Sequence, residues 1–474
     1  MPTKYLYDLC WAAFGDSNST ARLAKIEQLL ESDEGNLLKE AASYFDANNG
    51  TPLHWLTGAH PPGDLIKKLI QLAPDSVKLE NHDGDLPLHG ACHHKASPEV
   101  VRLLLEAYPE AAEIKDNFGW MPLHIACLFK ASPDVIQLLL EANPRAAEVQ
   151  NNYGQLPLYI ACDNLASADI VKMLLVANPQ AANSPNKHGS LPLHYACQNK
   201  AALAVIKMLL EVNPKAAEIQ TSNGSLPLHL ACDYQDPQVV RMLVNLYPNA
   251  TKIRDKNGFL PLHCACRNRA TLEVLDLLLV AYPESVEERS QQGLKRPSDY
   301  LKEYSDYFYG EKYKFLLHEA VISGFSVHLI KLLLQAFPPS CVTQDASGMT
   351  PLHYACSKSV EYISINVVML LIDTNPACYA IINNNGKTPF ELLSERASCV
   401  DQNGMLLLHH IAASSKDFTV RSLLFLLKVY PESLTVADSN RMLPFHHACF
   451  NKTSSLDILM SFIQLQPESI LWNI

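Results

Sequence analysis

The residues of this chain best suited to chemistry come in pairs, a histidine and a cysteine three positions apart. They stand at His89/Cys92, His124/Cys127, His194/Cys197, His229/Cys232, His263/Cys266 and His353/Cys356. Three apart on a helix is one face, so each imidazole lies beside its thiol. Such a pair could ligate zinc, or act as base and nucleophile. The repetition argues against both. Neighbouring helices pack about 8–10 Å apart, whereas zinc ligands must converge to within about 2.0–2.3 Å of one ion. A Cys–His nucleophile needs a third orienting group and a pocket, and a pair recurring at regular intervals is a packing element. Tyr159 also takes the histidine's place in one copy. His93-His94 follows a single pair only and has no carboxylate or thiolate at ligand spacing, so it reads as exposed surface. No glycine-rich phosphate loop, nucleophile elbow or kinase signature is present. No catalytic, cofactor-binding or metal-ligating residue is therefore assigned.

The elements that carry these pairs follow from the surrounding phrase, Leu-Pro-Leu-His-x-Ala-Cys. Its proline falls at Pro52, Pro87, Pro122, Pro157, Pro192, Pro227 and Pro261, with steps of 35 five times and then 34. A period in the thirties marks a stacked array of small supersecondary units. In residues 116–150, Asp116-Asn117-Phe118-Gly119 forms a turn, and Pro122 opens a helix expected to reach Phe129. Ser132-Pro133-Asp134 supplies a hydroxyl cap, a proline at the first helical position and a carboxylate at the positive helix end. The second helix is expected over 134–142 and is stopped by Asn143-Pro144, because the residue before proline avoids the helical region. Helices this short are marginal alone. Burial between neighbouring copies must hold them.

Thr350-Pro351-Leu352-His353-Tyr354-Ala355 matches the ankyrin signature Thr-Pro-Leu-His-x-Ala in full. The phrases beginning at Leu86, Met121, Leu156, Leu191, Leu226 and Leu260 match it with an apolar first residue. The chain resembles the ankyrin-repeat family over almost its whole length. The resemblance implies an all-α solenoid of stacked helix-turn-helix units with short hairpin-like fingers, in which each histidine bridges neighbouring turns through backbone hydrogen bonds. Most copies lack the leading threonine and with it a hydroxyl cap worth about 1 kcal/mol. The family's concave groove maps onto the residues around each turn glycine and the two after Ala-Cys. On that mapping the partner-binding candidates are Phe118, Trp120, Phe129, Tyr153, Tyr234 and Phe259, with the first four as the densest cluster. Large aromatics on an exposed groove are costly unless covered, and such residues dominate binding hot spots. The expected function is a non-catalytic scaffold that binds a protein or peptide, acting as a monomer without a cofactor.

Composition limits the partners. With 38 basic against 49 acidic residues the formal charge is −11, and no basic-aromatic stripe occurs, which argues against nucleic acid. No segment approaches 18 uncharged apolar residues and no secretory leader is evident, so a cytoplasmic or nuclear protein without membrane insertion is expected. Eight of the 13 cysteines (Cys92, Cys127, Cys162, Cys197, Cys232, Cys266, Cys356, Cys449) share one repeat position and are expected reduced and buried.

Residues 1–50 read as a degenerate first repeat, with helices expected over 5–13 and 21–30. Seven regular repeats follow. The rhythm then breaks twice: a start at Pro297 is succeeded by Leu316, and one at Pro389 by Leu407, each too soon for a second helix to intervene. We therefore expect arrays over 51–310, 311–400 and 401–474. The last of these stops mid-repeat, which leaves open a recruitment segment of a larger enzyme or membrane protein extending beyond Ile474.

Overall fold

The computed structural model describes residues 8, 10, 12, 19–30, 50–59, 61–232, 236–290, 295–308, 315–357, 364–397, 405–414, 420–451 and 456–465. Among them every regular element is helical. Of the two helices expected at the N-terminus, the second is Ser19–Leu30, and the first lies mostly outside the described residues. Backbone contacts divide the chain into two compact units, Met1–Lys256 and Asn257–Ile474.

The first unit is regular. Its first helices are Pro52–Gly58, Pro87–His93, Pro122–Leu128, Pro157–Asp163, Pro192–Gln198 and Pro227–Ala231. Its second helices are Gly63–Leu72, Pro98–Ala107, Pro133–Ala142, Ala168–Ala177, Leu203–Val212 and Pro237–Leu246. Each row packs on itself from copy to copy, and the apolar seam between the rows is the core. Leu123, Ala126 and Cys127 from one helix meet Val135, Ile136 and Leu139 from the other, all buried. Ser132 caps the second helix by accepting from the Val135 N–H at 3.4 Å. After the Asn-Pro or Tyr-Pro stop the chain makes a tight 3₁₀ turn, such as Pro144–Glu148, before rising to the next finger.

The finger is a turn closed on itself. Asp116 N–H donates to Trp120 O at 2.9 Å, and the Asp116 carboxylate accepts from the N–H groups of Phe118 and Trp120 at 2.9 and 2.7 Å. Gly119 sits at φ 79°. A Cβ there would fall 2.5 Å from Asn152 Oδ1 and 2.8 Å from Asn152 N, so glycine is needed for space as well as conformation. Successive fingers are joined by Asn117 N–H to Asp83 O (2.9 Å) and Asn152 N–H to Phe118 O (3.2 Å).

In the second unit two first helices lack their own second helix. First helices are Pro261–Arg267, Pro297–Phe308, Leu316–Ser323, Pro351–Ser357, Pro389–Ala397, Leu407–Ser414 and Pro444–Phe450. Second helices are Leu272–Ala281, Val327–Ala336, Ile365–Thr374, Val420–Val429 and Leu456–Leu465. The second row closes up over the gaps: Leu272–Ala281 packs on Val327–Ala336, and Ile365–Thr374 on Val420–Val429. The orphan Pro297–Phe308 packs against Val327–Ala336, and the orphan Pro389–Ala397 against Val420–Val429. Polar contacts fasten the first splice. Ser326 N–H donates to Asp276 Oδ1 at 3.0 Å, and Glu287 takes Lys331 Nζ at 2.7 Å, Gln335 Nε2 at 2.9 Å and Arg296 Nη1 at 3.3 Å. Lys331 foremost, with the Gln335 amide and Arg296, holds the Glu287 carboxyl below its ordinary range.

Seven of the eight repeat-position cysteines are buried thiols as expected. Cys449 is exposed, a departure from that expectation, and it lies in the last first helix of its row.

Candidate partner-binding surface

The imidazoles prove to be stitching. His124 Nδ1 accepts from the Met121 N–H at 3.1 Å, and its Nε2 donates to Val149 O at the end of its own repeat and to Gln155 O of the next, at 3.0 and 3.2 Å. His54 reaches Asp85 O at 2.9 Å, and His194 reaches Ile219 O at 3.0 Å. In the second unit His263 bonds Glu288 O (3.1 Å), His318 bonds Met349 O (3.2 Å), His353 bonds Lys387 O (3.2 Å) and His409 bonds Met442 O (3.1 Å). His89 keeps the first half, accepting from the Leu86 N–H at 3.1 Å, but its Nε2 closes no bond. This network requires a neutral ring protonated on Nε2. Burial enforces it by pushing His89, His124 and His194 down to about 4. Thus His54, His89, His124, His194, His229, His263, His353, His409 and His446 each satisfy the N–H at the start of their helix, and the missing threonine hydroxyl leaves no orphan there. Where threonine survives, at Thr51 and Thr350, its hydroxyl adds a 2.8 Å bond to the same Nδ1.

Tyr159, the one replacement in the first unit, is fully buried. Its ring meets Tyr195 edge-on at 5.9 Å and its hydroxyl has no partner. A second ladder escaped sequence reading. Asn143, Asn178 and Asn213, read as helix stops, donate through Nδ2 to Ala112 O, Ala147 O and Ala182 O of the preceding repeat at 3.2, 3.0 and 3.3 Å. Their signal was present as asparagine alternating with tyrosine (Tyr108, Tyr247, Tyr282) before a repeating proline.

With the histidines and cysteines accounted for as structure, the aromatic candidates remain. Phe118 and Tyr153 stand at consecutive fingertips, 50% and 58% exposed. Trp120 is half-buried, its ring edge-on to His124 at 6.1 Å. Phe129 is half-buried against His93, ring centroids 4.0 Å apart. His93 and His94 bring their Nδ1 atoms to 3.2 Å. Both line a polar cavity of about 450 Å³ with Trp55, His82, Asp83 and Asp85. Burial raises the Asp85 carboxyl above its ordinary value. Phe259 is 8% exposed and belongs to the second unit, where its ring packs on Tyr300 at 5.7 Å and under Arg267 at 5.0 Å. Tyr234 lies outside the described residues. Among the described residues no cluster of three or more His, Cys, Asp or Glu side chains could hold a metal ion, and no helix is long and apolar enough to cross a membrane.

A family model described as ankyrin repeats in three copies matches residues 53–148, 88–187, 129–223, 193–289 and 317–393, well over half of the chain. The chain belongs to the ankyrin-repeat family. Among solved structures it is similar to the ankyrin repeat domain of Bcl-3, described as a unique member of the IkappaB protein family. The identity there is 25% over 48% of this chain and 98% of that one, with a TM-score of 0.38. It is similar also to the human ASB11 ankyrin repeat domain, at 23% identity over 45% of this chain and 90% of that one, TM-score 0.38. No curated protein sequence matches it.

Proposed function

We propose that this ankyrin-repeat protein is a non-catalytic scaffold whose first unit holds a protein or peptide segment along its finger-side groove. The contact centres on Phe118, Trp120, Phe129 and Tyr153. Ankyrin repeats are generally protein-interaction modules, and the buried histidines and cysteines of this array are occupied by packing. One observation carries the reading: two large aromatic rings at consecutive fingertips, Phe118 and Tyr153, stand half in water. A repeat array can place any side chain at a fingertip without disturbing its core, so apolar rings there serve something other than the fold. Phe259 is left out of the proposed contact, being buried.

The test uses paired substitutions in the full chain. Trp120→Ala with Phe129→Ala, and separately Phe118→Ala with Tyr153→Ala, are compared with the parent for capture of proteins from the native cell. Far-UV circular dichroism and urea midpoints are read alongside. We expect helicity to be kept and capture of the partner to fall at least about tenfold, the scale of one lost aromatic anchor. Unchanged capture by both folded variants would refute the assignment.

A further inference from the structure

Cys341 and Cys378 stand apart from the repeat-position cysteines. They sit in the tight turns Pro338–Val342 and Pro376–Ala380, which end two successive repeats of the second unit. In the regular repeats these turn positions hold alanine pairs, Ala111-Ala112, Ala146-Ala147, Ala181-Ala182 and Ala216-Ala217. Both sulfurs are fully buried and both are aimed at one atom, the carbonyl oxygen of Leu371, at 3.3 Å from Cys341 Sγ and 3.7 Å from Cys378 Sγ. That oxygen already accepts the Asn375 N–H at 3.2 Å, closing the end of its helix. A carbonyl has two lone pairs. Three donors therefore compete for two places, and the two sulfurs, from successive repeats, are brought together beside one oxygen. The neighbouring Cys378 thiol draws the Cys341 thiol below its ordinary range, whereas burial foremost raises the repeat-position thiols Cys92, Cys127 and Cys356.

We propose that Cys341 and Cys378 form a redox-modification site, a dithiol that a small peroxide oxidises to a disulfide tying two successive repeats together. The step balances. The Cys341 thiolate attacks hydrogen peroxide and the O–O bond breaks, leaving a sulfenic acid on Cys341 and hydroxide. The Cys378 sulfur then attacks the sulfenic sulfur, the S–S bond forms, and the sulfenic oxygen leaves as water. In sum two thiols and one peroxide give one disulfide and two waters, with two electrons passing from sulfur to oxygen. The product carries no donors, so Leu371 O is left to the Asn375 N–H alone and the competition is relieved. Access comes through opening of the five-residue turns, short elements with few internal bonds. Glutathione or thioredoxin-type reductants would reverse the step.

The experiment treats the full chain with hydrogen peroxide, blocks free thiols with iodoacetamide in denaturant, and digests it without reductant. We expect a peptide joining Cys341 to Cys378, with a loss of about 2 Da. It should accumulate at least about tenfold faster than any product at Cys127 or Cys356. Cys378→Ala, which restores the residue type of the regular repeats, should abolish the joined peptide and leave Cys341 as a sulfenic acid trapped by dimedone. Cys341→Ala should abolish both products. Peroxide products spread evenly over the buried cysteines, or a cross-link of Cys378 to Cys356 instead, would overturn the proposal. Because the parent chain alone gives the rate comparison, that comparison decides the matter even where a variant fails to fold.

Discussion

The two units solve one problem, hiding the apolar sides of very short helices, with different economy. In the first unit every first helix has its own second helix and both rows advance in step. In the second unit seven first helices share five second helices among the described residues. Val327–Ala336 packs against Pro297–Phe308 as well as against its own partner Leu316–Ser323. The histidine stitch persists through this irregularity. Its sequence separation is 31 for His124 to Gln155 but 34 for His353 to Lys387, while the bond stays at 3.2 Å in both. The unit of stability is therefore the row and its stitches, not the complete module. An array can shed a second helix wherever the next one closes over the gap and the carbonyl facing each imidazole is kept.

The contrast can be pressed hardest with acid. A protonated imidazole cannot accept at Nδ1, so protonation breaks its bond from the helix-start N–H while Nε2 still donates. These histidines have folded values below the ordinary 6.5, because burial disfavours the charged ring, so the unfolded chain binds the proton first. Stability is complete above pH 6.5 and is lost as the pH falls from there to about 4. At pH 5 the loss is about 2 kcal/mol for each histidine displaced this far, an order-of-magnitude figure. His318, His353 and His409 are lowered too, but by less. Urea titrations at pH 7 and pH 5, followed by hydrogen exchange in peptides from each unit, should show the first unit weakening more. Equal weakening would mean the stitches are not what distinguishes the units.

A sharper cut compares two neighbouring positions of the first row. His124→Leu would strand the buried Met121 N–H and leave the Val149 carbonyl without its partner, while Gln155 O keeps the Asn151 N–H, and should cost about 3 kcal/mol. Tyr159→Phe removes a hydroxyl that bonds to nothing, and should be neutral or stabilising by up to about 1 kcal/mol. Urea midpoints of the two variants decide it. A cost for Tyr159→Phe as large as that for His124→Leu would show that the tyrosine has been recruited into the stitch.

What the sequence made legible follows this physics. Periodic residues announced themselves: Pro122 and Pro133 at helix starts, Gly119 at positive φ, and Ser132 as a cap all stand where spacing put them. Local chemistry dictates those choices. The asparagine bridges to Ala112, Ala147 and Ala182 left a signal, asparagine in the place of tyrosine before proline, that could not be read, because a helix stop and an inter-repeat donor look alike until the preceding carbonyl is in view. The closing of the second row was hidden for a similar reason, since a truncated repeat reads as a gap unless one knows which helix covers it. The candidate surface was half legible. Spacing could place Trp120 and Phe259 at equivalent positions, but only the neighbours Tyr300 and Arg267 bury the second of them.

The smallest expected effect concerns the residue just past the first helix, where the backbone turns left-handed in both units. In the first unit Lys95, Lys130, Leu165 and Lys200 hold φ between 57° and 63°, and at the matching places of the second Arg269 holds 60° and Gly324 74°. A side chain in this conformation costs about 1 kcal/mol that glycine does not incur, because its Cβ crowds the following carbonyl oxygen. Lys130→Gly should therefore stabilise the first unit, offset in part by the greater freedom of glycine in the unfolded chain. The net gain expected is about 0.5 kcal/mol. Gly324→Ala should destabilise the second unit by about 1 kcal/mol. The signs matter more than the sizes. Opposite signs in urea midpoints would show one backbone turn solved with strain at Lys130 and without it at Gly324, whereas a loss on Lys130→Gly would mean that the lysine side chain, exposed as it is, contributes contacts outweighing the strain.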